Sequence, residues 1–261
     1  FEADRIQIVG ITECAYLESL SEEEKYERIR TLFSYHPPLI IYTHGNKVDH
    51  IVVEAAQEFG VPLFTTDEST SSFTAALVAS LNVKLAPMET RHGVLVEVYG
   101  EGVLLLGESG IGKSETALGL IKHGNALVAD DFTCLRKDVA GNVLYASASA
   151  ATSEYMEIRG IGIIHVPSVF GVTAVRGEKQ LDFVITFRRM EEVNGELDRV
   201  GEDVRMANFL GVDVPEIVIP VSAGRDLVNL VETAAQQQKL RAAGHDAAGN
   251  LDARLKARAM Q

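Results

Sequence analysis

The sequence predicts an α/β protein, a small N-terminal α/β domain followed by a larger β-rich domain around a phosphate-binding loop. Three observations carry that reading. Short apolar runs alternate with helix-patterned segments over roughly the first eighty residues. The pattern breaks around Leu85-Ala86-Pro87-Met88-Glu89-Thr90. A Gly-x-x-x-x-Gly-Lys-Ser stretch then follows an apolar strand and opens a helix.

Residues 5–10, rich in Ile and Val, predict a first strand. Ser21-Glu22-Glu23-Glu24 is a capping-box signature: the hydroxyl meets an N–H of the first turn while the third glutamate reaches back. The helix it opens runs to about Phe33. Residues 38–43 are continuously apolar and read as a buried strand; 49–59 have helical spacing and end at Gly60, a suitable C-cap. A strand at 62–65 and a helix at 69–81 complete a unit with a mostly parallel sheet. It carries no glycine-rich phosphate loop, and its sequence alone does not give its role.

Beyond the break, 94–99 alternate as a strand, Gly100-Glu101-Gly102 reads as a tight turn, and 103–106 form a second strand. The helix after the phosphate loop runs from Lys113 to about His123 and is ended by Gly124. A strand at 126–129 leads into Asp130-Asp131, and further short strands are expected at 143–145, 161–166 and 181–187. From Asp226 the chain turns helical over 227–243, with a last helical stretch at 250–260. The predicted domains are 1–86 and 87–261.

The 261 residues are enough for two cores, and 23% charged with 46% hydrophobic is ordinary for a globular protein. The net charge of −13, from 37 acidic against 24 basic residues, argues against a nucleic-acid partner, which needs a basic face. No apolar run approaches the roughly 20 residues that span a bilayer. No lipidation signal or basic amphipathic helix points to a membrane. The opening Phe1-Glu2-Ala3-Asp4-Arg5 lacks the basic start and apolar stretch of a signal peptide, so the chain reads as cytoplasmic. Cys14 and Cys134 fit neither a metal-ligand spacing nor a disulfide framework and read as reduced thiols.

Gly107-Glu108-Ser109-Gly110-Ile111-Gly112-Lys113-Ser114 matches the phosphate-loop pattern in full. Its glycines let backbone N–H groups point inward at phosphate oxygens, and the following helix offers its positive end to the same anion. Lys113 is placed to reach terminal phosphates, and the Ser114 hydroxyl to join a Mg²⁺ shell. Asp130 and Asp131 stand where a metal-facing carboxylate is expected. Two adjacent carboxylates allow one near the metal and one accepting a hydroxyl proton. A solvated acidic turn is the competing reading. His92, before Gly93, reads by itself as structural. Glu157-Ile158-Arg159-Gly160-Ile161-Gly162 places a carboxylate and a guanidinium among glycines, suited to a metal ligand and a phosphate contact or, equally, to an ion pair on a loop. Arg199 and Arg225 are either surface arginines or clamps for a transferring phosphoryl group.

The run RHGVLVEVYGEGVLLLGESGIGKSETALGLIKHGNALVADD (91–131) strongly resembles HPr kinase/phosphorylase, a bacterial family acting on a serine of the phosphocarrier protein HPr. MEIRGIGIIHV (156–166) resembles that family's second signature, and IPVSAGRDLVNLVETAA (219–235) its C-terminal strand and helix. The first eighty or so residues resemble the family's N-terminal domain, joined partway through, with roughly its first third not represented. The resemblance implies a kinase domain similar to phosphoenolpyruvate carboxykinase, a homohexamer, and ATP (or pyrophosphate) with Mg²⁺ as cofactors. It implies that His92, Lys113, Asp131 and Arg199 are catalytic, with Asp130 beside Asp131. It implies Ser114 and Glu157 on Mg²⁺, and Asp131 as proton acceptor in phosphorylation and donor in reverse. Pro220-Val221-Ser222-Ala223-Gly224-Arg225 is then the stretch serving dephosphorylation, where inorganic phosphate attacks phosphoserine and pyrophosphate leaves. Many members read Pro-Val-Arg-Pro-Gly-Arg there, a departure that bears on the phosphorylase half more than on the kinase half. Two other functions are weighed against this one: a kinase with a small-molecule acceptor, and a nucleotide-binding regulatory module that transfers nothing.

Overall fold

The computed structural model describes residues 4–138, 141–193 and 205–245. Its contacts divide the chain into two units, Phe1–Lys84 and Leu85–Gln261.

The first unit has three strands, β1 (Gln7–Val9), β2 (Ile40–Tyr42) and β3 (Leu63–Thr65), in the order β1-β2-β3, all parallel. Helices α1 (Ile11–Ser19), α2 (Glu22–Ser34), α3 (His50–Phe59) and α4 (Thr70–Lys84) connect and follow them. The capping box at Ser21 forms as its sequence requires, with the Ser21 side chain accepting from the Glu24 N–H. Gly60 ends α3 in the left-handed conformation. Asp49 caps α3 and also pairs with Lys25 of α2 at 2.8 Å, so one carboxylate ties the two helices together. Ile29 and Phe33 of α2, Ile40 and Tyr42 of β2, and Val52 and Ala55 of α3 form the core of this unit. Helix α1 is absent from the sequence-based expectation. It buries no residue and so has no apolar stripe to announce it.

The second unit is three layers. A six-stranded sheet runs β14 (Arg205–Phe209), β15 (Val212–Val221), β13 (Phe183–Arg189), β6 (Glu101–Leu106), β5 (Val94–Val98), β7 (Ala126–Ala129). A four-stranded sheet runs β12 (Glu178–Gln180), β9 (Val143–Ala148), β8 (Phe132–Asp138), β4 (Met88–His92). Side chains alternate across the large sheet. Val94, Val96, Val103, Leu105, Phe183 and Ile185 face helices α5 (Lys113–Lys122) and α7 (Leu227–Ala242). Leu95, Leu104 and Val184 face the small sheet through Leu135, Leu144 and Ala146. A sheet covered on both faces reads as continuous apolar runs, which is why its central strands stand out in the sequence. A hairpin of β10 (Tyr155–Ile158) and β11 (Gly162–His165), then the short helix α6 (Val166–Phe170), complete the unit.

Two expectations need correction. The turn expected at Gly100-Glu101-Gly102 lies one residue earlier: Tyr99 and Gly100 both take positive φ, and Glu101 already pairs with Val98. The break around 85–90 contains the start of β4, whose residues are mostly exposed and carry no strand-like alternation. The helical stretch expected at 250–260 lies outside the described residues.

Strand β6 delivers the phosphate loop, and α5 leaves from it. Helix α7 seats on α5 at Gly119, where an added Cβ would stand 2.4 Å from Val228 Cγ2. Buried Glu232 of α7 accepts from Asn125 Nδ2 at 3.1 Å and faces His123 Nδ1 at 3.2 Å, fixing the far end of α5. Gly119→Ala therefore overpacks this contact. We expect a loss of about 1–3 kcal/mol in urea unfolding, and an unchanged midpoint would show that the helices are free to separate.

Candidate active site

The loop after β6 closes around its own lysine. Gly107 has φ +141°, and a Cβ there would lie 2.7 Å from the Phe187 carbonyl oxygen of β13, so only glycine fits. Lys113 is buried, and its Nζ donates to the carbonyls of Gly107 at 2.8 Å and Glu108 at 3.0 Å. Burial holds its pKa below the ordinary lysine value, against the opposing pull of Asp131 and Asp130. An anion arriving in the loop would find a desolvated cation satisfied only by carbonyl dipoles.

Asp130 directly follows β7 and is 6% exposed. Its Oδ1 accepts from the Ser114 hydroxyl at 3.0 Å and its Oδ2 from the Glu157 N–H at 2.9 Å. Burial raises its pKa above the carboxylate range, only partly offset by those two donors, and neighbouring Asp131 raises it further. Asp131 is different: half exposed, with φ +60°, it turns out of the strand direction. His92, at the end of β4, brings Nε2 to 3.9 Å from Asp131 Oδ1, and its ring meets Phe132 edge-on with centroids 5.8 Å apart.

A cleft of about 380 Å³ collects these groups, lined among others by His92, Ser109, Lys113, Ser114, Asp131, Glu157 and Arg159. Glu157 is exposed on β10 and enters the cleft across the strand from Ile163. Arg159, which the sequence leaves between phosphate contact and loop ion pair, stands over the loop. Its guanidinium nitrogen is 3.3 Å from the position of a Cβ at Gly110, and among the described residues it forms no ion pair. What the sequence could not give is the second contact of Asp130: the Glu157 N–H follows from where the β10–β11 hairpin packs, not from residue type. Residues 220–225 lie elsewhere, at the end of β15 and in the turn that follows it. Val221, Ser222 and Ala223 border a separate cleft with Gly110 and Ile111, and Arg225 Nη1 donates to the Pro220 carbonyl at 3.0 Å. Arg199 lies outside the described residues.

Residues 1–81 match the family described as HPr Serine kinase N terminus, and 83–255 the HPr Serine kinase C-terminal domain. The chain belongs to the HPr serine kinase family. An HPr kinase/phosphorylase of Leptospira biflexa is 45% identical over 256 residues, covering 98% of this chain and 79% of the relative. One of Caldicellulosiruptor bescii is 42% identical, covering 98% of this chain and 81% of the relative. A solved structure, the Hpr(Ser) kinase/phosphatase from Coxiella burnetii, is similar at a TM-score of 0.54 and 35% identity, over 59% of this chain and 97% of that one. No helix among the described residues is long and apolar enough to cross a membrane.

The raised pKa of Asp130 makes a signed prediction. The native state holds that proton more tightly than the unfolded chain does. The contribution of Asp130 to stability is therefore complete below about pH 4 and declines as pH rises through the raised native value. Asp130→Asn cannot titrate. In urea unfolding over a pH series, the stability of the native protein minus that of the variant should fall with rising pH and then level; a flat difference contradicts the assignment.

Proposed function

We propose that the chain phosphorylates a serine of the phosphocarrier protein HPr with ATP and Mg²⁺, and returns that phosphoryl group to inorganic phosphate in reverse. The observation that carries this reading is the split between adjacent carboxylates. Asp130 is committed by both oxygens to Ser114 and Glu157, whereas Asp131 faces the cleft beside His92. A nucleotide-binding module without transfer has no use for the second carboxylate. The kinship with HPr kinase/phosphorylases supplies the acceptor. The same kinship supports a cytoplasmic homohexamer, and Arg199 as the arginine that stabilises charge on the transferring group.

The metal fits the donor set. Ser114 offers a hydroxyl and Glu157 a carboxylate, and among the described residues no group of three or more His, Cys, Asp or Glu could hold an ion alone. That is the pattern of Mg²⁺ completed by substrate phosphates and water. When bound, Mg²⁺ neutralises charge on the phosphate oxygens. The loop N–H groups and Lys113 hold the triphosphate, and Arg159 stands over it. The serine oxygen forms a bond to the terminal phosphorus as the bond to the β-phosphate oxygen breaks and ADP leaves; its proton passes to Asp131. In reverse, an oxygen of inorganic phosphate attacks phosphoserine, the serine–phosphorus bond breaks, Asp131 returns the proton to the serine oxygen, and pyrophosphate leaves.

The test is incubation with HPr and ATP, followed by phospho-HPr with phosphate. Absence of phosphoserine at every Mg²⁺ concentration would sink the assignment. Asp131→Asn should bind ATP normally and lose about 10²–10⁴-fold in transfer. Lys113→Ala should lose nucleotide binding itself. Transfer that survives in Asp131→Asn removes the proton-acceptor role.

A further inference from the structure

Strands β6, β13 and β15 are mutually parallel, and β7 runs in the same direction because β5 is antiparallel to both β6 and β7. Their C-terminal ends therefore share one edge of the sheet, the edge where ligands of open α/β sheets bind. β6 delivers the phosphate loop in the middle of that edge. β7 delivers Asp130 and Asp131 on one flank. β13 and β15 deliver Arg189–Met190 and Val221–Ser222 on the other. The cleft with the carboxylates and a second cleft of about 340 Å³ meet at Gly110.

A triphosphate is a directional ligand. If its terminal phosphate faces Asp131, as the proposed reaction requires, its other end leaves the loop on the opposite flank. The cleft there is lined by Ile111, Met190, Val221 and Ala223, with Arg189, Glu191 and Ser222 as its polar groups. Arg189 is itself held at the loop by Glu108, Nε to Oε2 at 3.1 Å. A cleft at the lower end of the roughly 300–1,000 Å³ range of ligand pockets, with apolar side chains set among polar ones, has room for a base against the former and a ribose against the latter, and is too small for a folded partner.

We propose that this second cleft is the nucleoside subsite, with Met190 its main contact to the base; the assignment rests on the nucleotide reading given above. One consequence concerns Ser222-Ala223. Small side chains there keep the cleft open, so the departure from the Arg-Pro sequence of many relatives bears on the nucleoside as well as on phosphorolysis.

Inorganic tripolyphosphate carries the same phosphates without a nucleoside and separates the two claims. By titration calorimetry with Mg²⁺, ATP should bind the native protein about tenfold more tightly than tripolyphosphate. Met190→Trp, which fills the cleft, should erase that advantage. Met190→Ala should weaken ATP by about three- to tenfold, and both variants should hold tripolyphosphate within about twofold of the native value. Equal weakening of both ligands in both variants, or ATP binding untouched by Met190→Trp, overturns the subsite and leaves the phosphate loop standing. A native protein that binds neither ligand overturns the nucleotide reading and the subsite with it.

Discussion

The site is organised by a single buried carboxylate. Asp130 joins three stretches that are remote in sequence: the first turn of α5 through Ser114, the end of β7, and the β10–β11 hairpin through the Glu157 N–H. A carboxylate removed from water in this way costs several kcal/mol unless donors replace its hydration. Here both oxygens have donors, which offset part of that cost and fix the relative position of three segments. It also orients the Ser114 hydroxyl: with its proton given to Asp130, the lone pairs of that oxygen are left for a cation. The helix, the strand end and the hairpin cannot shift independently without orphaning a buried group.

The commitment of Asp130 decides what Asp131 can do. A non-glycine residue at φ +60° costs about 1–2 kcal/mol and needs support from its surroundings. That support is on either side: the Gly93 N–H donates to the Asp131 carbonyl at 2.9 Å, and the Phe132 N–H to the Asp130 carbonyl at 2.7 Å. The turn between β7 and β8 is thus held by backbone hydrogen bonds, and its unusual dihedral swings Asp131 away from the burial of its neighbour. Two identical residue types, adjacent in sequence, acquire separate environments from one strained peptide.

Much of this architecture is legible in the amino-acid sequence. The phosphate loop can be read because its geometry demands glycine at fixed offsets, as Gly107 against the Phe187 carbonyl illustrates. Strands β5, β6, β7 and β13 can be read because two covered faces make them apolar along most of their length. Three other strands have a weak pattern of their own, for physical reasons. β4 is exposed along most of its length, β8 mixes buried Thr133 and Leu135 with Arg136 and Lys137, and β15 contains Pro215 and Pro220. Proline lacks a ladder donor and argues against a central strand, yet β15 lies between β13 and β14. The position of Arg159 over Gly110 is open in the sequence because a hairpin's docking decides it. The second cleft is invisible there, since its walls come from the ends of β13 and β15, more than thirty residues apart in sequence.

Charge poses the remaining problem, since a chain of net charge −13 repels a triphosphate at long range. Salt screens that repulsion beyond roughly 8–10 Å, so affinity has to come from contacts inside that distance. The loop concentrates them: inward N–H groups, the start of α5, Arg159, and Lys113, whose ammonium is dehydrated before any ligand arrives. Phosphate oxygens would replace the Gly107 and Glu108 carbonyls as partners of Lys113 and restore the compensation that burial removed. Asp131 stays outside this exchange. At 3.9 Å from His92 Nε2 it is too far for a direct hydrogen bond, so its carboxylate is not occupied by the histidine. The base proposed here has to be near a positive or polar neighbour without being spent on it, and that spacing is compatible with the role.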